Sequence, residues 1–557
     1  MFYLGHVFTS YAMTEEFRIT KKNKFFSIIE LLLIVLFASV PLFMKFPYRV
    51  NIFLSWEGAY RMSQGQVPFR DFGLPMGYMY WVIPALFFKI FGPQMITLIK
   101  AQFLINVLSG FAFRSILKSM SVQPGPRLLC VLLYCISFSF FNFWPWYNHT
   151  VIVYEVIAIA FLMKYVFSEE RKWILISLSA LFSFFSFFTK QDAGAMAFLL
   201  CISILVCNCI YERRWNALFV FVLSTLIISL VVIVPLTRFN FSYWFNHGQP
   251  PHTSRISLFE ILDEFLYSSQ WIKFYLFLIV VILLARYKTL QQFLSDKTNV
   301  IFLVLTLGIL VEASILQVTS YTPPDNNIFF HSFAFAFIVF NLTKFFNLDL
   351  SVLRPLILVG TLMLLWWSGV FWKYIQRLYL SVASMEESNR ANGENIVNRK
   401  TYILSPTTGE IPMAEWGFSN LKSFAKVYMP KATIEGINRL LKTPGVKNNP
   451  NIRVLNMTEL TPLAAEMPYH LETGPKIPLW YHLGVAMFNK QAVEYEKKIS
   501  ASYYDLVLFE YIPTLNNFYP FRVRDTLLNH YQKVDSFPAP RTGNTQGVIE
   551  IFFKPSH

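Results

Sequence analysis

Long apolar segments separated by short basic stretches recur through the first two thirds of the chain. A helix needs about 20 predominantly apolar residues to cross the hydrocarbon core of a bilayer. About eleven segments fit this pattern to within a few residues: 25–44, 94–115, 128–143, 150–167, 173–189, 194–211, 216–236, 271–285, 299–318, 329–346 and 354–373. Charged residues make up only 15% of the 557 residues, against about 25% in an ordinary soluble domain. The sequence therefore predicts a polytopic α-helical membrane protein.

The net charge of +15 is concentrated in loops rather than in a nucleic-acid-binding patch. If the tail 1–24 is cytoplasmic, every second loop is basic, as the positive-inside rule requires. The same alternation places five loops and the C-terminal region outside. These outside loops are 45–93, 144–149, 190–193, 237–270 and 319–328. We expect a multi-pass protein of a bacterial inner membrane, with a cytoplasmic N-terminus and no nucleic-acid partner.

The segment 76–92 is apolar enough to be taken for a further span, but it carries Pro84 and Lys89. Counting it as a span would invert every later loop and move the basic residues outside. The sequence therefore favours a helix that lies in the outer interface or re-enters from it.

From about residue 374 the chain becomes polar, with short apolar runs that predict buried strands at 402–404, 452–457, 504–512 and 548–553. Helical patterns at 491–502 and 522–533 lie between them. We expect three parts: the tail 1–24, a transmembrane module 25–373 and an extracytoplasmic α/β domain 374–557. All five cysteines precede residue 210, which excludes a disulfide framework or a zinc site in that domain.

The first outside loop, 45–93, is dense in charge, with Glu57, Arg61, Arg70 and Asp71 close together among turn-forming Gly and Pro residues. The simplest interpretation is structural: Arg61 with Glu57 and Arg70 with Asp71 form ion pairs that hold an interfacial loop together.

The same residues resemble a known family. Trp56-Glu57-Gly58-Ala59-Tyr60-Arg61, then Gly65-Gln66-Val67-Pro68-Phe69-Arg70-Asp71-Phe72, then Pro and Tyr before an amphipathic stretch, resemble the first external loop of GT-C glycosyltransferases. These polytopic enzymes take a sugar from a polyprenyl phosphate; protein O-mannosyltransferases and aminoarabinose transferases are examples. Thr189-Lys190-Gln191-Asp192-Ala193-Gly194 resembles a second turn of the bacterial members. The likeness covers 51–92 well and the span layout through 373 more loosely.

The resemblance implies transfer of a sugar from a polyprenyl-phosphate donor to a glycan, lipid or protein acceptor. The acceptor's hydroxyl or amine needs a base, and the departing phosphate needs cations. Glu57 is the expected base and Asp71 a second acid or orienting residue. Expected donor and phosphate contacts are Arg70, Lys190, Asp192 and Arg61. Expected acceptor or sugar contacts are Tyr60, Trp146, His149 and His252.

Two departures from the family pattern affect these roles. The family commonly has Asp where this chain has Glu57, and the segment 145–149 lacks a carboxylate that many members place there. Asp71 or Asp192 takes up that role, or no residue does. The histidines form no metal motif, so no metal ligands are predicted, and a divalent cation is left open as a cofactor.

Several alternatives remain at this stage. Lys190 at the end of a span can simply snorkel, and Trp144, Trp146 and Tyr147 can form an interfacial belt. A transporter or lipid-linked-glycan flippase would carry ionisable residues inside its spans, where only Glu155 and Glu312 stand out. In a third reading the spans are an anchor and the C-terminal domain is a binding module, but about eleven spans exceed what an anchor needs.

Overall fold

The structure is a computed structural model that describes residues 2–555 with internal gaps. The residues outside the description are 45, 48–51, 74, 140–141, 169–171, 246–256, 320–328, 373–374, 376–410, 412–414, 448, 450, 468, 480–486, 514–518 and 541–546. Side chains before residue 22 are also outside it.

The N-terminal module is helical. In chain order its helices are α1 Phe2–Phe43, α2 Ile52–Ser63, α3 Met79–Phe91, α4 Met95–Ser119, α5 Pro124–Tyr134, α6 Tyr147–Phe167, α7 Trp173–Phe187, α8 Gln191–Glu212, α9 Asn216–Leu236, α10 Leu258–Tyr267, α11 Gln270–Arg286, α12 Leu290–Ser295, α13 Lys297–Thr319, α14 Phe329–Phe345 and α15 Leu353–Trp366. Helix α5 runs on through a π-helical turn, Cys135–Ser139.

Six of the described helices are long and apolar enough to cross a membrane, and the number rises to seven if α10 and α11 form one broken span. The six lie in α1, α4, α6, α8, α9 and α13. Four other segments predicted to span coincide with shorter apolar helices, in α5, α7, α14 and α15. The chain is thus a multi-pass integral membrane protein, and the count of about eleven spans stays a prediction.

Two elements depart from simple spans. Helix α3 covers most of the segment 76–92 and is only 13 residues long, which fits the predicted interfacial or re-entrant helix. Helices α10 and α11 are bent by 79° at a break of two residues, whereas the sequence predicted a single span at 271–285. Ser257 caps α10 by accepting from the amide of Glu260, so α10 begins as a helix of its own.

Predicted cytoplasmic basic residues converge on a buried carboxylate. Arg114 Nε lies 2.6 Å from one oxygen of Glu30 on α1, and Arg127 Nε lies 2.9 Å from the other. Glu30 is fully buried. A buried carboxylate is tolerated when it is paired and hydrogen-bonded on both oxygens, so this triad ties α1 to α4 and α5.

The C-terminal region forms two small sheets, one of which also takes in a strand that directly follows α1. A three-stranded sheet has the order β1-β3-β2, and a four-stranded mixed sheet has the order β4-β5-β7-β6. The strands are β1 Phe46–Pro47, β2 Trp416–Phe418, β3 Val427–Pro430, β4 Val454–Met457, β5 Leu506–Tyr511, β6 Gln532–Pro538 and β7 Val548–Phe553. The helices are α16 Lys431–Lys442, α17 Pro444–Lys447, α18 Leu463–Glu466, α19 Phe488–Ser500 and α20 Phe521–His530.

Three of the predicted strands are confirmed, since β4, β5 and β7 lie within 452–457, 504–512 and 548–553. Helices α19 and α20 match the predicted helices at 491–502 and 522–533 to within a few residues. The predicted strand at 402–404 lies outside the described residues. The domain boundary at residue 374 adjoins the undescribed segment 376–410 and stays a prediction.

The first outside loop and the C-terminal region share one core. Ile52, Trp56 and Ala59 of α2 pack in the same buried cluster as Val427 of β3 and Leu508 of β5. Strand β1, just after α1, adds a parallel edge to β3. The two regions that the sequence separates into module and domain are therefore packed against each other.

Candidate active site

Glu57 and Arg61 lie one turn apart on the same face of α2. Arg61 Nε is 2.9 Å from Glu57 Oε1, and the two side chains are only 6% and 15% exposed. Arg61 also donates through Nη1 to the side chain of Gln66 at 3.0 Å and to the main-chain carbonyl of Glu472 at 2.9 Å. A guanidinium bound to three acceptors in this way is fixed in place, and it fixes Glu57 with it.

Burial raises the pKa of Glu57 above its ordinary value, and the charge and hydrogen bond of Arg61 only partly offset that effect. A carboxylate whose pKa is raised in this way is a stronger proton acceptor than an ordinary glutamate, which suits a general base. Glu57 can thus both hold Arg61 as an ion-pair partner and accept a proton as a base.

The turn 67–73 holds the second pair of charges. Asp71 accepts from the amide of Val67 at 2.7 Å, while Arg70 donates through Nε and Nη2 to its two oxygens at 3.0 and 2.7 Å. The hydrogen bond from Arg70 holds the pKa of Asp71 below its ordinary value. A lowered pKa leaves Asp71 without a proton to donate and makes it a weak proton acceptor, so the structure fits an orienting role better than that of a second acid.

Phe69 explains why this turn is rigid. It adopts a φ of 67°, in the left-handed region that costs energy for a residue with a side chain. Its ring is buried and packs edge-on against Phe241, with centroids 5.2 Å apart. This packing holds Arg70 at the surface, where its side chain is 45% exposed.

A strap of the C-terminal region, residues 474–479, runs along this turn. The amide of Gly73 donates to the carbonyl of Ile477 at 2.7 Å, and that of Leu479 donates back to Gly73 at 3.0 Å. The amide of Gly474 donates to the carbonyl of Asp71 at 2.8 Å. Main-chain pairing of this kind fixes the C-terminal region over the charged loop.

The strap closes a narrow cavity of about 60 Å³. Glu57 and Arg61 line one side of it. Polar groups of the C-terminal region line the other, and they include Asn456, Thr458 and Tyr469. Sequence reasoning missed these C-terminal residues, because nothing in their local pattern marks them as neighbours of α2.

Lys190 and Asp192 form a separate cluster at the start of α8. Lys190 Nζ lies 3.2 Å from Asp192 Oδ2, and the other oxygen of Asp192 accepts from the amide of Ala193 at 2.8 Å. Acidic charge in a first helical turn is favourable, which explains this placement. Position 194 requires a glycine for a steric reason, because a Cβ there would lie 2.2 Å from the Cα of Phe187.

The two clusters meet through packed aromatic and backbone groups. The amide of Met79, after the first loop, donates to the carbonyl of Phe188 at 3.4 Å, just before Lys190. A Cβ on Gly77 would lie 1.6 Å from that same oxygen. The rings of Tyr80 and Tyr147 lie 6.0 Å apart. The Lys190 turn thus borders the first loop without lining the Glu57 cavity.

The predicted acceptor contacts are scattered. Tyr60 stacks on Trp56, with centroids 4.6 Å apart, and its hydroxyl donates to the carbonyl of Ala464 at 3.4 Å. This residue packs between α2 and the C-terminal region and does not line the cavity. Trp146 packs on Tyr147 at 4.2 Å, and the ring of His149 lies edge-on to Phe138.

His252 lies outside the described residues, as does His247. Within the described ranges, no group of three or more His, Cys, Asp or Glu side chains is arranged to hold a metal ion.

A further pair of acidic residues lies within the helices. Glu155 on α6 and Glu312 on α13 are 0% and 2% exposed. The sequence already singles out both, since each is an acidic residue in an otherwise apolar run. The sequence does not show that the two face each other.

No family model and no curated protein matches the chain. Two solved structures of ArnT from Cupriavidus metallidurans are similar to it, each at 11% sequence identity over 94% of this chain and 97% of that one. The apo structure aligns with a TM-score of 0.49 and the structure bound to undecaprenyl phosphate with 0.46. At this identity and with TM-scores below 0.5, the likeness assigns neither a family nor an activity to this chain.

Proposed function

We propose that the chain is a membrane glycosyltransferase that moves a sugar from a polyprenyl-phosphate donor to a glycan, lipid or protein acceptor at the outer face of the membrane. The observation that carries the proposal is Glu57: a carboxyl group with a raised pKa, held by Arg61, in a cavity that the C-terminal region closes. The resemblance of residues 51–92 to the first loop of GT-C glycosyltransferases supports the same activity.

In this proposal Glu57 accepts the proton of the acceptor's hydroxyl or amine as that group attacks the anomeric carbon. The bond from the anomeric carbon to the phosphate oxygen breaks, and the phosphate leaves with the electron pair. Arg70 suits the phosphate because its guanidinium is 45% exposed and already oriented by Asp71. Arg61 is bound to three acceptors, so we assign it to holding Glu57 in place.

Lys190 is the second proposed phosphate contact, with Asp192 as its orienting partner. Tyr60, Trp146, His149 and His252 remain proposed acceptor or sugar contacts. Of these, Tyr60 has the weakest support because its hydroxyl and ring are already packed.

The experiment is an assay of donor cleavage. The purified protein is incubated with a panel of polyprenyl-phosphate sugars, with and without a divalent cation, and release of polyprenyl phosphate is followed by mass spectrometry. The variant Glu57→Gln should release at least about a hundredfold less, the effect of losing a catalytic base. The matched control Glu260→Gln, at an exposed carboxylate on α10, should be as active as the wild type.

Two observations favour a transporter or flippase as the second candidate. Glu155 and Glu312 are ionisable residues buried inside helices, and α10 and α11 form a broken helix pair. If no donor is cleaved and proteoliposomes move a lipid or solute instead, the transferase proposal fails and the transporter takes its place.

A further inference from the structure

Glu155 and Glu312 place two carboxyl groups together in the interior of the helical module. Glu155 lies on α6 and Glu312 on α13, and the two carboxyl groups are within hydrogen-bonding range of each other. Both are at least 98% buried, so water cannot solvate them. Two ionised carboxylates in contact, without water, would repel each other and would each lose hydration that nothing replaces.

The surroundings offer no donor to compensate. No N–H or O–H group of the described residues donates a hydrogen bond to any of the four oxygens of the pair. Each carboxyl lies within range of the other carboxyl, which can donate only when it is protonated. Buried polar groups are almost always hydrogen-bonded, so the missing donor needs an explanation.

The charged and titratable groups near the pair do not supply the missing hydrogen-bond donor. Lys190 and Asp192 at the start of α8 act on Glu312 electrostatically, but they are paired with each other at 3.2 Å. Among the described residues, the other titratable neighbours of the pair are Cys201 on α8 and Tyr134 on α5. The sulfur of Cys201 accepts from Ser183 on α7, and the hydroxyl of Tyr134 bonds that of Ser109 on α4.

We propose that Glu155 and Glu312 form a proton-binding site inside the membrane module, in which the carboxylic acid of one residue donates a hydrogen bond to the carboxylate of the other. The bound proton removes one negative charge from the buried pair and supplies the missing donor. Loss of this proton changes the charge beside the Lys190–Asp192 pair by one unit. The site does not depend on the proposed transferase activity and is equally compatible with a transporter.

Infrared spectroscopy of the purified protein at pH 7 tests the proposal. The wild type should show the carbonyl stretching band of a protonated carboxylic acid, shifted in D₂O, and the double variant Glu155→Gln/Glu312→Gln should lose that contribution. The control Glu260→Gln should keep it, because an exposed carboxylate is ionised at this pH. The proposal is overturned if the band is absent from the wild type or unchanged in the double variant.

Two additions keep the test decisive. If the double variant does not fold, the single variants Glu155→Gln and Glu312→Gln replace it, because the amide retains a donor in the pair; at least one must then lose part of the band. A wild type without the band, whose unfolding temperature rises with added Na⁺, would identify a cation site and overturn the proton site. Neither measurement uses sugar transfer, so failure here is distinct from failure of the proposed function.

Discussion

Arg61 makes more polar contacts than any other charged side chain described at the Glu57 cavity. Its guanidinium binds Glu57, Gln66 and the carbonyl of Glu472, and it lies 5.5 Å from the ring centroid of Phe72. One side chain thus joins α2, the turn 67–73 and Glu472, which lies just before the C-terminal strap. Its charge also lowers the pKa of Glu57, against the larger effect of burial.

This arrangement predicts the pH dependence of donor cleavage. A base acts when it is ionised, so the rate should fall on the acid side with an apparent pKa above 4.5, the ordinary value for a glutamate. Arg61→Met removes the charge that favours ionisation and should move this acid limb to higher pH. Arg61→Lys keeps the charge and should leave the limb nearly in place.

The measurement is the pH profile of polyprenyl phosphate release for the three proteins. Identical acid limbs in the wild type and Arg61→Met would show that the limb does not report Glu57. A loss of activity in Arg61→Met without a shifted limb would instead indicate a structural role alone, since Arg61 also binds Gln66 and the carbonyl of Glu472.

At the level of elements, the start of α8 depends on a close backbone approach. Gly194 lies against the last turn of α7, where a Cβ would come within 2.2 Å of main-chain atoms that cannot rotate away. This close packing sets the position of the Lys190 turn, since Lys190 and Asp192 belong to the same stretch of chain.

Gly194→Ala should therefore destabilise the protein. Overpacking a tight site costs about 1–3 kcal/mol, and backbone neighbours place this substitution at the upper end. Gly369→Ala is the matched control, because a Cβ there meets no atom within 4 Å. Thermal unfolding in detergent should show a lower midpoint for Gly194→Ala only; equal midpoints would mean that α7 and α8 can separate at no cost.

The elements also show what sequence reasoning can reach. Long apolar runs predicted the helices well, because burial in lipid demands length and apolarity at once. Apolar runs likewise found β4, β5 and β7, which are buried. Strand β6 was not predicted, because most of its residues are exposed or half-buried. Strand β1 was not predicted, because two residues are too few to show a pattern. The bend between α10 and α11 was not predicted, because apolar composition does not indicate where a helix changes direction.

Some contacts of the candidate site could likewise be predicted from the sequence and others could not. The pairs Glu57 with Arg61 and Arg70 with Asp71 were predictable, since each is local in sequence. The C-terminal wall of the cavity and the contact between Glu155 and Glu312 depend on residues far apart in the chain. Such contacts follow from the packing of distant segments, which local patterns in a sequence do not reveal.

At the scale of the whole molecule, the sequence predicts on which side of the membrane each loop and the C-terminal region lie. The positive-inside pattern puts the C-terminal region outside and the loop after α4 inside. Lys442 on α16 and Lys118 at the end of α4 are both exposed, so cysteines at these positions form a matched pair. The native cysteines give little background, because four are buried and Cys207 is half-buried.

Lys442→Cys should react with a membrane-impermeant maleimide in intact spheroplasts, whereas Lys118→Cys should react only after permeabilisation. Labelling is read by mass spectrometry of the purified protein. The reverse pattern would place the Glu57 cavity on the cytoplasmic side and would contradict an outer-face enzyme.

The smallest strand has a consequence for biosynthesis. Phe46 and Pro47 follow the first membrane helix, yet they pair with Val427 and Tyr428, which the ribosome delivers only after all the described helices of the module. Contacts between parts of a chain that are far apart in sequence form slowly. Until they form, an unpaired strand edge can pair with the wrong segment or with another chain. A nascent chain released before residue 430 would therefore insert its helices and leave uncovered the face of α2 that packs against the C-terminal region. Truncated products should be recognised by quality-control proteases at this uncovered surface rather than within the bilayer.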